Sequence, residues 1–176
     1  MENIDSPHEF RIHLNYGKPY ITAVFKVGDV SFTLVFNDIL TVEEMRTKQY
    51  HIDLPAIDFP ENGMVELYFD IIDHGINNFG SFRHISLLDV IPLTLKKVVR
   101  IIKLHYTVRK PGGYLFYAAR SSDNRVTDLK NVYDQLLGLK VKRNGKFAYK
   151  YIPADWRIYN GLCGDGRGYV IICSGL

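Results

Sequence analysis

Two segments of the chain carry residue types that could do chemistry. The first, DHGINNFGSFRHIS at 73–86, holds two of the six histidines, and an imidazole beside a carboxylate is a common general base. The second, GLCGDGRG at 161–168, is as rich in glycine as a phosphate cradle, but it lacks the Lys-Ser/Thr pair of a P-loop. No two histidines stand four apart and neither cysteine lies near one, so the sequence predicts no metal site.

A second possible chemistry is the binding of nucleic acid by a basic C-terminal half. Residues 1–89 carry a net charge of −8 and residues 90–176 a net charge of +11. The segment 146–151, KFAYKY, interleaves two lysines with aromatic residues, a pattern that could follow a phosphate backbone and stack bases. The candidate residues are Lys96, Lys97, Lys142, Arg143 and Lys146. The interpretation that we favour is a solvated helix face beside an edge strand that lysines protect.

The central element of the chain is a helix–strand–helix unit from Pro92 to Leu137. Proline suits a first helical turn, so we expect the first helix to begin at Pro92. The apolar run Tyr114–Ala119 predicts a strand that is covered on both faces. The apolar positions at helical spacing are Leu95, Val98, Val99, Ile102 and Tyr106 in the first helix, and Val126, Leu129, Tyr133, Leu136 and Leu137 in the second.

Runs of apolar and aromatic residues predict strands on either side of this unit. The predicted strands are 10–14, 20–27, 30–36, 64–72, 147–152 and 169–173. Thr41 and Glu44 predict a short helix with a capping box, and 160–168 predicts a loop. The step from 64–72 through the helix to the next strand predicts a parallel crossover. We therefore expect one domain over 1–176, of α/β (α+β) class, with a single mixed sheet and helices on both faces.

Composition bounds the setting in which the chain works. No apolar run approaches the ~20 residues of a membrane span, and the acidic N-terminus is unlike a secretory signal. We therefore expect the protein in the cytoplasm. Cys163 and Cys173 match no metal or redox spacing, and we expect both thiols to be reduced.

The order of elements over residues 20–174 resembles the GCN5-related N-acetyltransferase fold. The most specific match is Asn131–Leu137, NVYDQLL, which is similar to the second-helix pattern of that family. The resemblance implies a role for Tyr133 as the acid that protonates a departing coenzyme A thiolate. It also implies that the loop 73–86 holds the pyrophosphate, with Gly75, Asn77, Asn78 and Gly80 as the cofactor-binding residues.

Two features oppose an active enzyme. The Arg/Gln-x-x-Gly-x-Gly/Ala signature of the family is absent, so we expect no cofactor, with acetyl-CoA as the alternative. Tyr133 lies on the apolar stripe of its predicted helix, where a tyrosine usually belongs to the core.

A second resemblance is to small phage-encoded proteins of unassigned function. The features that carry it are Ala118-Ala119, Arg125 and Tyr133 behind a glycine- and asparagine-rich loop. It implies an accessory or host-directed protein in the host cytoplasm. The leading prediction is a non-catalytic interaction protein that binds a host or phage protein. An acyl-CoA-dependent N-acyltransferase and a nucleic-acid-binding protein are the alternatives.

Overall fold

The computed structural model describes residues 9–15, 17–48, 58–73, 76–77, 87–118, 129–139 and 152–173. These residues form an α+β architecture of eight strands and three helices. The strands are β1 (Glu9–Asn15), β2 (Lys18–Val27), β3 (Val30–Ile39), β4 (Met64–Asp73), β5 (Ile76–Asn77), β6 (Gly113–Tyr117), β7 (Arg157–Leu162) and β8 (Gly168–Ile172). The helices are α1 (Val42–Arg46), α2 (Leu87–Arg109) and α3 (Leu129–Leu136). Among these described helices, none combines the length and the apolar character of a membrane span.

All eight strands belong to one mixed sheet. Seven of them follow the order β1-β2-β3-β4-β6-β8-β7, and β5 pairs with β4 alone. The only parallel neighbours in this described sheet are β4 and β6, which α2 connects. The parallel step that the sequence predicts is therefore present, as is the single mixed sheet.

The N-terminal half of the sheet is a meander of antiparallel strands. Gly28 and Asp29 connect β2 to β3 as a two-residue turn, as the sequence predicts. Gly28 has φ +58°, a left-handed conformation that glycine adopts without a steric penalty. Alternating apolar residues then place one side of every strand against the core.

The main core lies between the sheet and α2. Phe25, Phe32 and Phe69 stack on three adjacent strands with ring centroids 5.4–6.2 Å apart. From α2, His105 stacks on Phe36 with the ring centroids 4.1 Å apart. A smaller cluster collects around Ile39, Met64, Leu115 and Val170, and Met45 of α1 belongs to it.

The cap of α1 follows the prediction with one change. The backbone N–H of Glu44 donates to the Thr41 hydroxyl at 3.1 Å, as expected. The Glu44 carboxylate reaches back to the backbone N–H of Leu40 at 3.0 Å rather than to that of Thr41. The hydrogen bond from Lys18, at 2.7 Å, is the first cause that lowers the pKa of Glu44.

Two predicted helix and strand boundaries are wrong. The first helix begins at Leu87, five residues before Pro92, although proline removes one helical hydrogen bond there. The central strand is β6, Gly113–Tyr117, so it begins one residue earlier than expected and ends before Ala118. Of the loop predicted at 73–86, Asp73 belongs to β4, and Ile76 and Asn77 form β5.

The loop predicted over 160–168 is present at 163–167, but both of its ends are wrong. Residues 160–162 belong to β7, and the register of β7 against β8 shifts between Tyr159 and Leu162. Gly168 begins β8. A Cβ at this position would lie 2.5 Å from the sulfur of Cys163, so a larger residue would not fit here without a shift. Glycine at this position is therefore a packing requirement within a strand. The predicted strand 147–152 lies outside the described residues except for Ile152, which is not in a strand.

Candidate functional site

β4 and β6 separate after a short parallel stretch. Met64, Val65 and Glu66 pair with residues 113–115, and there the pairing ends. At Ile72, β3 and β5 pair with the two opposite edges of β4, so β5 lies on the same edge as β6. Within the described residues, no strand therefore pairs with residues 67–71 on that edge of β4.

Glu66 lies at the point where the two strands separate. Its side chain is 1% exposed, although it is charged and stands within an apolar strand. Lys48 Nζ lies 2.8 Å from one carboxylate oxygen as an ion pair, but its direction does not make a hydrogen bond. Both oxygens thus lack a hydrogen-bond partner in the part of the chain that the structure describes. An ion pair with Lys48 therefore holds this buried carboxylate, with no hydrogen bond from the described residues.

Tyr133 packs among aromatic side chains. Its ring stands edge-on against Phe116 and Tyr169, with ring centroids 5.4 Å and 5.9 Å away. Burial raises the pKa of Tyr133 to about 12. A general acid works best when its pKa lies near the working pH, and this shift moves the phenol away from that range. The surroundings of Tyr133 are therefore those of a core residue.

A buried polar network fixes α3 to the sheet beside this tyrosine. The Tyr169 hydroxyl donates to the Asp134 carboxylate at 2.7 Å, and Lys130 Nζ donates to the other oxygen of Asp134 at 3.2 Å. Burial and this hydrogen bond raise the pKa of Tyr169 well above its usual range. Arg167 also lies buried at the end of β6, where its Nε donates to the Ala118 carbonyl.

The predicted cofactor residues are only partly described. Asn77 belongs to β5 and pairs with Ile72 in the sheet. Gly75, Asn78 and Gly80 lie outside the described residues. In the described ranges, no group of three or more His, Cys, Asp or Glu residues could hold a metal ion. Both cysteines are free, and burial raises the pKa of Cys173 to about 12.

Of the predicted nucleic-acid residues, only Lys96 and Lys97 are described. Lys96 is exposed on α2, but Lys97 Nζ donates to the carbonyl of Lys26 at 2.6 Å. That contact ties α2 to the end of β2, so Lys97 has a structural role. Lys142, Arg143 and Lys146 lie outside the described residues.

Exposed apolar side chains concentrate at the edge of the sheet. Phe10, Ile12 and Leu14 alternate along β1 and therefore share one face, and Phe10 contacts Phe36 with ring centroids 6.4 Å apart. Phe36 carries the stacked His105 of α2, so this is the face that α2 covers. The side chain of Ile12 is 75% exposed, although it lies on the face of the sheet that α2 covers.

Two exposed apolar residues of α2 lie on the side of the helix that reaches β2. Lys97, Leu104 and Val108 lie on one side of the helix, and Lys97 reaches β2. The other side of the helix carries Tyr106, which contacts Trp156 at 4.9 Å. Leu104 and Val108 are exposed and follow Lys97 at helical spacing. We call Phe10, Ile12, Leu14, Leu104 and Val108 the β1–α2 surface.

Sequence reasoning missed both Glu66 and the β1–α2 surface, although each leaves a signal. Glu66 is a lone charge in the first six residues of β4, MVELYF. The alternation of Phe10, Ile12 and Leu14 with polar residues marks one apolar face, but it does not tell whether a helix covers that face.

Comparison with protein-family models, with curated proteins and with solved structures finds no match to this chain. The assignment of function therefore depends on the geometry described above.

Proposed function

We propose that this protein is a non-catalytic interaction protein with a degenerate acetyltransferase-like fold. The observation that carries the proposal is the β1–α2 surface, where exposed apolar side chains meet at a sheet edge. Large apolar patches on a soluble domain are typical of contacts with other proteins. The resemblance to phage-encoded proteins adds that the role is accessory or host-directed.

The order of strands supports the acetyltransferase-like part of the proposal. Counted without the two-residue β5, the strands follow the order 1-2-3-4-5-7-6, with parallel neighbours at positions 4 and 5. Those neighbours separate beyond Glu66. Met45 of α1 packs on Ile39 and Met64, on the face opposite α2, which supports helices on both faces.

The surroundings of Tyr133 support the non-catalytic part. The ring packs edge-on between Phe116 and Tyr169, and its raised pKa makes the phenol a weak acid. In addition, β5 pairs with the same edge of β4 as β6 does, beyond the point where β4 and β6 separate. A ligand that lies along β4 as an added strand would meet β5 at Ile72.

One observation favours a second candidate, an acyl-CoA-dependent N-acyltransferase. Glu66 is buried without a hydrogen-bond partner in the described residues, at the point where β4 and β6 separate. A carboxylate placed there could take the proton from an acceptor amine before acyl transfer. Lys48 opposes this role, because its ammonium group already lies 2.8 Å from the carboxylate as an ion pair.

Two measurements separate these functions. A pull-down from host lysate compares the wild-type chain with Ile12→Lys, and it uses Leu40→Lys as the matched control. Leu40 is 70% exposed but lies outside the β1–α2 surface. We expect Ile12→Lys, but not Leu40→Lys, to lose the captured protein. Equal capture by both variants would remove the proposed surface.

The second measurement is a thermal shift with acetyl-CoA at millimolar concentration. The non-catalytic proposal expects no shift, since the glycine signature is missing and β5 lies on the edge of β4. An upward shift of several degrees would instead show binding to the folded chain and promote the acyltransferase.

A further inference from the structure

Among the strands that the structure describes, β1 is an edge of the sheet. In the described part of the chain it pairs with β2 alone, over seven residues without a shift in register. β1 contains neither proline nor lysine. By contrast, the other edge strand, β7, has an irregular register between Tyr159 and Leu162. Sheets usually protect their edges by such irregularities, by proline or by lysine.

The backbone of β1 presents its outward amides at the apolar positions. β1 and β2 form a hairpin that closes at Asn15 and Lys18 around two residues, so this pair exchanges backbone hydrogen bonds. Hydrogen-bonded and non-hydrogen-bonded pairs alternate along an antiparallel ladder. The amides of Phe10, Ile12 and Leu14 therefore point away from β2.

We infer that a second copy of this chain covers the β1–α2 surface, with the two β1 strands antiparallel about a two-fold axis at Ile12. This inference rests on the proposed function and names the partner of the same surface. In this register Ile12 faces Ile12 of the second copy, and Phe10 faces Leu14. Every outward amide of the three residues then finds a partner, and every apolar side chain meets an apolar one.

The self-complementary register is the reason for choosing a second copy over an unrelated strand. A two-fold contact requires that the same patch match itself, and the spacing 10-12-14 does so about its central residue. On the other face Arg11 meets His13, so no two arginines oppose each other. The two α2 helices lie on one face of the joined sheet, with Leu104 and Val108 toward the axis.

Sedimentation velocity of the full chain at about 1 to 100 µM tests the inference, a range that covers ordinary dissociation constants of weak dimers. We expect a dimer for the wild type. Ile12→Lys places two ammonium groups opposite each other and should raise the dimer dissociation constant on the order of 100-fold. The matched control Leu40→Lys should leave the dimer unchanged. A monomer at every concentration, or a dimer that Ile12→Lys leaves intact, would overturn the inference.

Cysteine cross-linking tests the register, in a Cys163→Ser background because Cys163 is a half-exposed free thiol. Ile12→Cys should form a disulfide-linked dimer by itself. Phe10→Cys should not cross-link by itself, but it should do so when mixed with Leu14→Cys. Efficient cross-linking of Phe10→Cys alone would contradict the proposed pairing.

The outcomes also separate this inference from the proposed function. If the wild type is a monomer and Ile12→Lys still loses a captured protein, the second copy is excluded and the surface binds a different protein. If the wild type is a dimer that Ile12→Lys dissociates, while capture is unchanged, the second copy binds this surface and the captured protein binds a different part of the chain.

Discussion

The pH dependence of stability should depend strongly on His105. This side chain is 3% exposed, and its Nδ1 lies 3.0 Å from the Tyr114 hydroxyl. The Tyr114 hydroxyl also lies 3.4 Å from the Ile102 carbonyl, and the tautomer of His105 decides which group donates in the contact with Nδ1. The other ring nitrogen, Nε2, is buried without a hydrogen-bond partner among the described residues.

Protonation of this imidazole would place a charge on a buried ring whose Nε2 has no hydrogen-bond partner in the described ranges. Burial first, and the positive Arg109 second, lower the pKa of His105 from 6.5 to about 4. The unfolded chain therefore takes up a proton before the folded chain does, and stability is lost as the pH falls from about 6.5 to about 4. The two pKa values give a loss of about 2 kcal/mol between pH 8 and pH 5, and about 3 kcal/mol below pH 4.

Urea unfolding of the wild type and of His105→Phe at pH 8 and pH 5 measures this effect. Phenylalanine keeps an aromatic ring on Phe36 but has no group that titrates. The free energy of unfolding of His105→Phe should therefore fall by about 2 kcal/mol less than that of the wild type between pH 8 and pH 5. At pH 8 the variant should lose about 1 kcal/mol, because Tyr114 loses one hydrogen bond. His13→Phe is the matched control, since His13 lies half-exposed on β1. An identical pH dependence in the wild type and His105→Phe would refute the reasoning.

Four further predictions concern single sites. Tyr133→Phe should lower the free energy of unfolding by about 1 kcal/mol or less and keep partner capture. Tyr133→Ala should lower it by about 3 kcal/mol, because it empties the space beside Phe116. A Tyr133→Phe variant that is stable but no longer captures the partner would contradict this. Lys48→Met should cost about 3 kcal/mol in thermal unfolding because Glu66 stays buried and unpaired, and adding Glu66→Met should restore most of the loss. Gly113→Ala should cost about 2 kcal/mol, because the new Cβ would lie 2.6 Å from the Ile171 carbonyl. If the chain binds nucleic acid, the affinity should fall steeply between about 50 and 200 mM salt, and replacing Lys142, Arg143 and Lys146 together should weaken it; the absence of any mobility shift at low salt would exclude this binding.

Sequence patterns predict the strands of the meander and the parallel step well. β2, β3 and β4 consist of long apolar and β-branched runs, and Gly28-Asp29 marks their first turn, so local chemistry and tertiary packing agree. The two closing strands are harder to predict, because Gly161 and Gly168 read as loop signals. In the structure one lies beside a register shift and the other makes room for Cys163, and neither cause is visible locally.

The candidate sites follow a similar division. The position of Tyr133 on an apolar helical stripe predicts the packing that the structure shows. Glu66 could be noticed as a lone charge, but its lack of partners depends on how β3, β4 and β6 meet. The exposure of Ile12 depends on where α2 crosses the sheet, which is a property of the whole fold and cannot be read from β1 alone.

The short parallel contact between β4 and β6 divides the sheet into two mechanical halves. Three residues of β4 and three of β6 join the meander β1–β4 to the group β6, β8 and β7. Neighbouring strands within the meander pair over seven to nine residues. Pairs that are close in sequence form early in folding, and this contact must wait until α2 has closed the distance between its strands. Under a pulling force, or in local opening, the line between Glu66 and Leu115 is therefore where the sheet should part first, with the meander separating as an intact unit.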